Sequence, residues 1–200
     1  MNKKNINKLA AHFDRYFNQI SEKVIYSELD TGYVIDVMVY EPTDELPFYK
    51  LVTVGASDYK CKFRANSILT PYNEYMMFVS KDVDLLEGDN WSWYYNKLML
   101  AALYPKETDS FLTYQSMVNL GEDKESDMTG VYITFPQIIN EAGILHAKLG
   151  ILKKVTCLQV MPITKKEQEI YAHVGADALE DKFYPDNGQS IFLAEKFRTR

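Results

Sequence analysis

Residues Leu158–Gly175, LQVMPITKKEQEIYAHVG, join an apolar strand to a helix through a proline corner. Apolar residues over Val155–Met161 predict a strand, and Pro162 reads as its stop. Thr164 and Glu167 stand in capping-box register: the threonine oxygen can accept the Glu167 amide while the carboxylate accepts the Thr164 amide. The spacing predicts one helix over Lys165–Phe183, with Ile170, Val174 and Ala178 on one line beside Tyr171 and Leu179, ended by Tyr184-Pro-Asp-Asn-Gly188. Nothing in the stretch is catalytic, so it reads as framework.

Upstream, Ile6, Leu9, Ala10, Phe13 and Phe17 recur at spacings of three and four, predicting an amphipathic helix over Asn5–Gln19. Val24–Tyr26, Tyr33–Tyr40 and Tyr49–Val54 are β-branched and aromatic, with turn residues at Asp30–Gly32 and Pro42–Pro47; they read as antiparallel strands. Glu74–Ser80, EYMMFVS, is too short for a helix and reads as a central strand. Asp89 or Asn90 caps a helix carrying Trp93, Lys97, Leu98, Ala101 and Ala102, which Tyr104-Pro105 should stop. Phe111–Leu120 has strand character, Glu122–Asp127 is a charged loop, Val131–Phe135 is a strand ended by Pro136, and Ile138–Leu149 is ambiguous. Early strands and separated helices, without regular alternation, predict an α+β fold: a mixed, mostly antiparallel central sheet with helices packed on it.

A chain of 200 residues that is 46% hydrophobic can bury roughly 70% of its unfolded surface, enough for one core. A single domain over residues 1–200 is expected. The net charge of −6, spread evenly over both halves, argues against nucleic acid, which needs a basic stripe, and suits a basic partner. No apolar run reaches spanning length and the first residues are polar, so neither a membrane partner nor a leader is expected. Two distant cysteines, Cys61 and Cys157, do not form a disulfide framework. The cytoplasm fits them best.

Catalytic chemistry lacks a constellation. His12 lies on the polar flank of the first helix and His146 in Ile-Leu-His-Ala. His173 has only Glu169 and Asp177 at helical spacing, a surface pattern and not a metal set. Cys157 sits inside an apolar strand as core filler, and Cys61, between Lys60 and Lys62, has no base partner. Asp82, Asp84, Glu87 and Asp89 resemble a calcium loop in composition but not in register, since the third ligand and distal glutamate are missing. No phosphate-binding glycine loop or hydrolase elbow is present. No catalytic residue, metal or cofactor is therefore expected. The remaining candidates are contacts: Asp82, Asp84, Glu87, Asp89 and Trp91 on one loop–helix corner, and Glu122, Asp123, Glu125 and Asp127 on another. Trp91 and Trp93 point to different helix faces, so only one of them can be core.

Thr53-Val-Gly55-Ala-Ser57-Asp58 after a strand, Asn73–Phe78, the Trp93–Pro105 helix, Gly130-Val-Tyr-Ile, the Val155–Thr164 corner with Glu167, and Gly175–Leu179 follow one another in an order that resembles the suppressor of fused domain family. The resemblance covers about residues 25–183 and implies an α+β domain whose known role is protein binding. The animal member grips a transcription-factor peptide between two domains. Bacterial single-domain members resemble immunity proteins that neutralise a cognate toxin, often a nuclease. The chain has the first domain's length, so the two-domain clamp is not carried over.

The leading expectation is an immunity or antitoxin protein that occludes a basic toxin, its acidic loops steering the encounter and aromatic anchors supplying affinity. The alternatives are a peptide-binding adaptor that captures a strand on a sheet edge, or an enzyme using Cys61 or a histidine.

Overall fold

The computed structural model describes residues 1–21, 23–25, 34–63, 65–66, 68–85, 90–136, 141–183 and 193–198. The elements are α1 (Lys3–Phe17), β1 (Lys23–Ile25), β2 (Asp36–Tyr40), β3 (Phe48–Val54), β4 (Asn73–Ser80), α2 (Asn90–Glu107), β5 (Met117–Asn119), β6 (Met128–Thr134), β7 (His146–Lys148), β8 (Lys154–Thr164), α3 (Lys165–His173) and α4 (Ala176–Phe183). Short 3-10 turns at Ala56–Asp58 and Ala142–Leu145 complete them.

The strands form one sheet in the order β1-β2-β3-β4-β8-β6-β5, with β7 pairing on β8. All of its named pairs are antiparallel except β4 with β8, which run parallel from Asn73↔Thr156 to Met76↔Gln159. The sheet is therefore mixed and mostly antiparallel, and β4 is central as predicted. Its alternation builds the layers: Tyr75, Met77 and Val79 meet α2 on one face, while Met76 and Phe78 meet α1 on the other. On the α1 side lie Leu9, Phe13 and Phe17, the stripe read from the sequence. Further along that face, Tyr132, Met161 and Ile163 pack against Leu179 and Phe183 of α4.

Three boundaries differ from the sequence reading. Pro162 does not stop its strand; β8 continues to Thr164, with Val131↔Pro162 in register. A proline cannot donate, but the ladder to β4 already ends at Gln159, so no bond is lost on that side. Pro105 likewise lies inside α2, which runs to Glu107. The missing N–H falls in the last turn, and beyond it the Thr108 amide and hydroxyl donate to Tyr104 O while Ser110 N–H donates to Pro105 O. The predicted Lys165–Phe183 helix is two helices, because Gly175 takes φ +117°, a conformation that favours glycine. This turn redirects α4 so that Leu179 and Phe183 reach the sheet.

Smaller differences follow. Only Met117–Asn119 of Phe111–Leu120 is a strand; within Ile138–Leu149 the 3-10 turn and β7 form, and residues 138–140 lie outside the described residues. The turns expected at Asp30–Gly32 and Tyr184–Gly188, and Tyr26, lie outside the described residues. His12 is not on a polar flank: its Nε2 lies 3.0 Å from Ile144 O, and burial lowers its pKa.

Each end of the β4–β8 seam encloses a glutamate. Where the strands begin, Glu74 is fully buried and takes Thr53 Oγ1 (2.7 Å) and the amides of Gly55 (3.0 Å), Ala56 (3.2 Å) and Ser57 (3.1 Å). The β3–β4 register ends at Val52↔Met76. Beyond it Thr53 Oγ1 accepts the Tyr75 amide, so side chains replace the ladder. Gly55 is required twice over: φ is +129°, and a Cβ would meet Val34 O at 2.3 Å. Where the strands finish, the Thr164–Glu167 capping box forms as read. Glu167 also binds the buried guanidinium of Arg198 at 2.9 Å. Arg198 donates to Pro162 O and lies over the Phe183 ring. Beside it Ala194 bridges Val79 in parallel, its N–H donating to Phe78 O at 2.7 Å, where β4 and β8 are no longer paired.

Candidate functional site

Both acidic corners of the sequence lie at the finishing end of the seam, because β4 runs into Asp82 and Asp84 while the Glu122–Asp127 loop feeds β6 opposite the end of β8. Between them stands the first half of α2. Its apolar residues are spread round the axis instead of gathered in one stripe, with Asn96 and Lys97 among them, a pattern that an ordinary surface helix does not show. Trp93, Tyr94, Leu98, Ala101 and Ala102 are buried toward the sheet. On the other side Trp91, Tyr95 and Leu103 are partly buried against the edge of that core, Met99 is buried among them, and Asn96 and Leu100 are exposed; Trp91 and Tyr95 meet edge to face with centroids 5.5 Å apart. Trp93 is the core tryptophan, and Trp91 is partly buried at the core's edge, which resolves the choice the sequence left open.

Three hollows surround this helix. Tyr95, Asn96, Met99, Leu100 and Leu103 line a mostly apolar groove of about 350 Å³. Asn96 and Leu100 continue into a second, of about 300 Å³, walled by the loop around Glu122–Glu125. On the other side, Asp82, Asp84, Tyr94, Ala194, Glu195 and Phe197 border a third of about 510 Å³. Phe197 is 62% exposed there.

The acidic residues divide by role. Asp123 is the anchor of its loop: Oδ2 accepts from Trp93 Nε1, Lys97 Nζ and Ser126 Oγ, each at 2.8 Å, and Oδ1 accepts the Glu125 amide. Burial pushes its carboxyl up, but these bonds, Lys97 foremost, outweigh that and hold it well below the usual range. Asp82, Asp84, Glu122, Glu125 and Asp127 are exposed and present charge to solvent. Glu87 and Asp89 lie outside the described residues. The C-terminal segment ties the corners together, since Asp127 N–H donates to Lys196 O and the Lys196 ammonium sits over the Trp93 ring.

Sequence reasoning missed Tyr95, Met99, Leu100 and Leu103, although their signal was present in the spread of apolar residues round α2. It also missed Glu195 and Phe197, which arrive by the return of the chain. The nucleophile candidates are buried: the Cys61 thiol is pushed up to about 11, mainly by desolvation, and the Cys157 thiol higher still. Among the described residues no group of three His, Cys, Asp or Glu side chains converges to hold a metal, and no helix is long and apolar enough to cross a membrane.

The fold and this surface define a mixed α+β domain that presents an aromatic helix between acidic loops. The suppressor of fused protein (SUFU) family model matches residues 32–195. The chain belongs to that family. Among solved structures it is similar to one described as a SUFU homologue from Neisseria gonorrhoeae, at 16% identity over 96% of this chain and 94% of that one, TM-score 0.68. A Sufu–Fu complex matches at 12% identity over 98% and 90%, TM-score 0.68. Drosophila Suppressor of Fused matches at 13% identity over 96% of this chain and 49% of its own, TM-score 0.65, so the chain spans about half of that protein. No curated protein matches the chain.

Proposed function

We propose that this domain is a protein-binding module whose docking face is the outer side of α2 with its two acidic rims. The observation that carries the reading is the apolar groove along Tyr95, Met99 and Leu103, with Leu100 43% exposed at its side and Trp91 partly exposed at the helix start, flanked on both sides by exposed carboxylates. Aromatic and aliphatic anchors in a shallow groove supply most of an interface's affinity, and the surrounding charge sets its on-rate and partner choice. The family's Sufu–Fu complex is consistent with that class of role.

Within the class, the specific form is an immunity protein that occludes a basic toxin. The acidic rim supports it, because a cationic active-site surface is what such a rim steers toward itself. The mechanism is steric: the α2 face covers the toxin's groove, and no covalent step is needed.

Co-expression with a toxin encoded beside its gene tests both levels. The wild-type chain should restore growth, and Tyr95→Ala with Leu100→Ala should weaken the purified complex about 30-fold, the size of a hot-spot loss. Asp82→Asn with Asp84→Asn should slow association and flatten its salt dependence. Rescue that survives the helix variant would move the docking face elsewhere. Failure of the wild type to rescue would remove the immunity role.

A further inference from the structure

The opposite end of the seam carries a feature that protein binding at α2 leaves unused. Between β7 and β8 the chain turns through Gly150-Ile151-Leu152, closed by a Leu149 N–H to Lys153 O bond of 2.9 Å. Ile151 is 101% exposed and Leu152 97%, so two adjacent aliphatic side chains project from a convex tip with none of the described residues packed against them. An isolated exposed leucine is ordinary, but two at full exposure on a hairpin tip are not.

Lysines gather behind that tip. Lys148 and Lys154 face each other on the last rung of the hairpin, an arrangement that costs stability because like charges directly opposite repel. Lys153 lies over the Tyr72 ring at 4.8 Å and 3.5 Å from Asp58. Along α1, Tyr16 abuts Gly143, His12 meets Ile144 O and Lys8 Nζ donates to Leu149 O at 2.5 Å. One helical turn earlier on the same face of α1 is the exposed Lys4. Three lysines thus stand on the hairpin behind the two greasy side chains, with Lys8 bonded to its base, and among the described residues the carboxylate paired with one of them is Asp58.

We propose that the Ile151–Leu152 hairpin is a docking point for an anionic lipid surface. The aliphatic pair enters the acyl boundary and the lysines meet the headgroups, the combination by which peripheral proteins lie on membranes without spanning them. A protein pocket is the poorer occupant. Two side chains on a convex tip offer far less than the roughly 800 Å² per partner of a stable interface, whereas a fluid surface needs no shape complement. The local lysine excess also faces away from the acidic pole, so the net charge of −6 orients the molecule instead of forbidding contact. The expectation of no membrane partner rested on the lack of a spanning run, which surface contact does not require.

Co-sedimentation with vesicles of phosphatidylcholine containing phosphatidylglycerol, and of phosphatidylcholine alone, tests the assignment on the whole chain. The wild type should bind the anionic vesicles in preference, with binding reduced by salt. Ile151→Ser with Leu152→Ser should lower the partition about 100-fold, and Lys148→Gln with Lys154→Gln about 30-fold. All four residues lie at the hairpin end, so the melting temperature should not fall; that measurement confirms the variants are folded. Absence of wild-type binding to anionic vesicles, or a serine variant that sediments like the wild type, would overturn the proposal. Loss of affinity for a purified protein partner in the serine variant, without vesicle binding by the wild type, would overturn it in favour of a protein pocket. None of these readouts depends on the α2 face, so the two proposals fail separately.

Discussion

Glu74 and Glu167 are buried at opposite ends of the same strand pair, yet they are stabilised by different means. Glu74 is held by a threonine hydroxyl and three amides of a tight turn, and no ion pair among the described residues includes it. Glu167 combines a helix cap with the Arg198 guanidinium, which comes from the far end of the chain. The first arrangement is local and rigid, a loop organised around one carboxylate. The second is long-range and acts as a clasp, fixing the segment that borders the acidic hollow. A buried carboxylate is therefore a statement about the backbone at one end and about chain return at the other.

The widest gap between them should come from truncation. Glu74→Ala strands four donors in the core and is expected to lower unfolding free energy by about 3–5 kcal/mol in urea titration. Glu74→Gln, which keeps one acceptor oxygen, should cost less. Burial raises the Glu74 carboxyl above its ordinary 4.5, the turn's hydrogen bonds only partly offsetting it. A raised folded value means that its contribution is fully present below the unfolded pKa and is lost as pH rises through the folded one. In Glu74→Gln that decline with rising pH should disappear.

Arg198→Ala comes next, at about 3 kcal/mol, the low end for an orphaned buried charge because the terminal segment can open and let water reach Glu167. If it cost as much as Glu74→Ala, the clasp would be as rigid as the turn and the contrast would fail.

The smallest effect is at Lys97, whose replacement by Met should cost about 1–2 kcal/mol and free the loop that Asp123 anchors. Asp123 has a depressed folded value, so its contribution exists above the unfolded pKa and is lost as pH falls. The two carboxyls thus tilt acid stability in opposite directions, and Lys97→Met should flatten only the limb that falls toward low pH.

Local chemistry was legible where the cause lay within a few residues. The Thr164–Glu167 cap, the α1 stripe and the short apolar run of Glu74–Ser80 were all readable, as was the family resemblance. Proline misleads: Pro162 and Pro105 read as stops because the sequence does not show which side of a strand lacks a ladder, or how many turns of a helix remain. Gly175 was under-read, since its φ of +117° is a demand of α4 docking and not of its neighbours. The acidic candidates were found by charge. That Asp82 and Asp84 share an end of the sheet with Glu122–Asp127, and that Asp123 is an anchor within it, follows from the β4–β8 pairing, which no local pattern encodes.

That pairing has a kinetic consequence. Strands β1 to β4 form a meander of sequential neighbours, and β5 to β8 a second group, but Asn73–Met76 meets Thr156–Gln159 across more than a third of the chain. Closing so distant a contact loses entropy before any packing rewards it, and high sequence separation slows folding. Each half can gather itself early; the seam is where the search ends, and during that search the two unpaired strand edges are the parts of the nascent protein most open to misassembly.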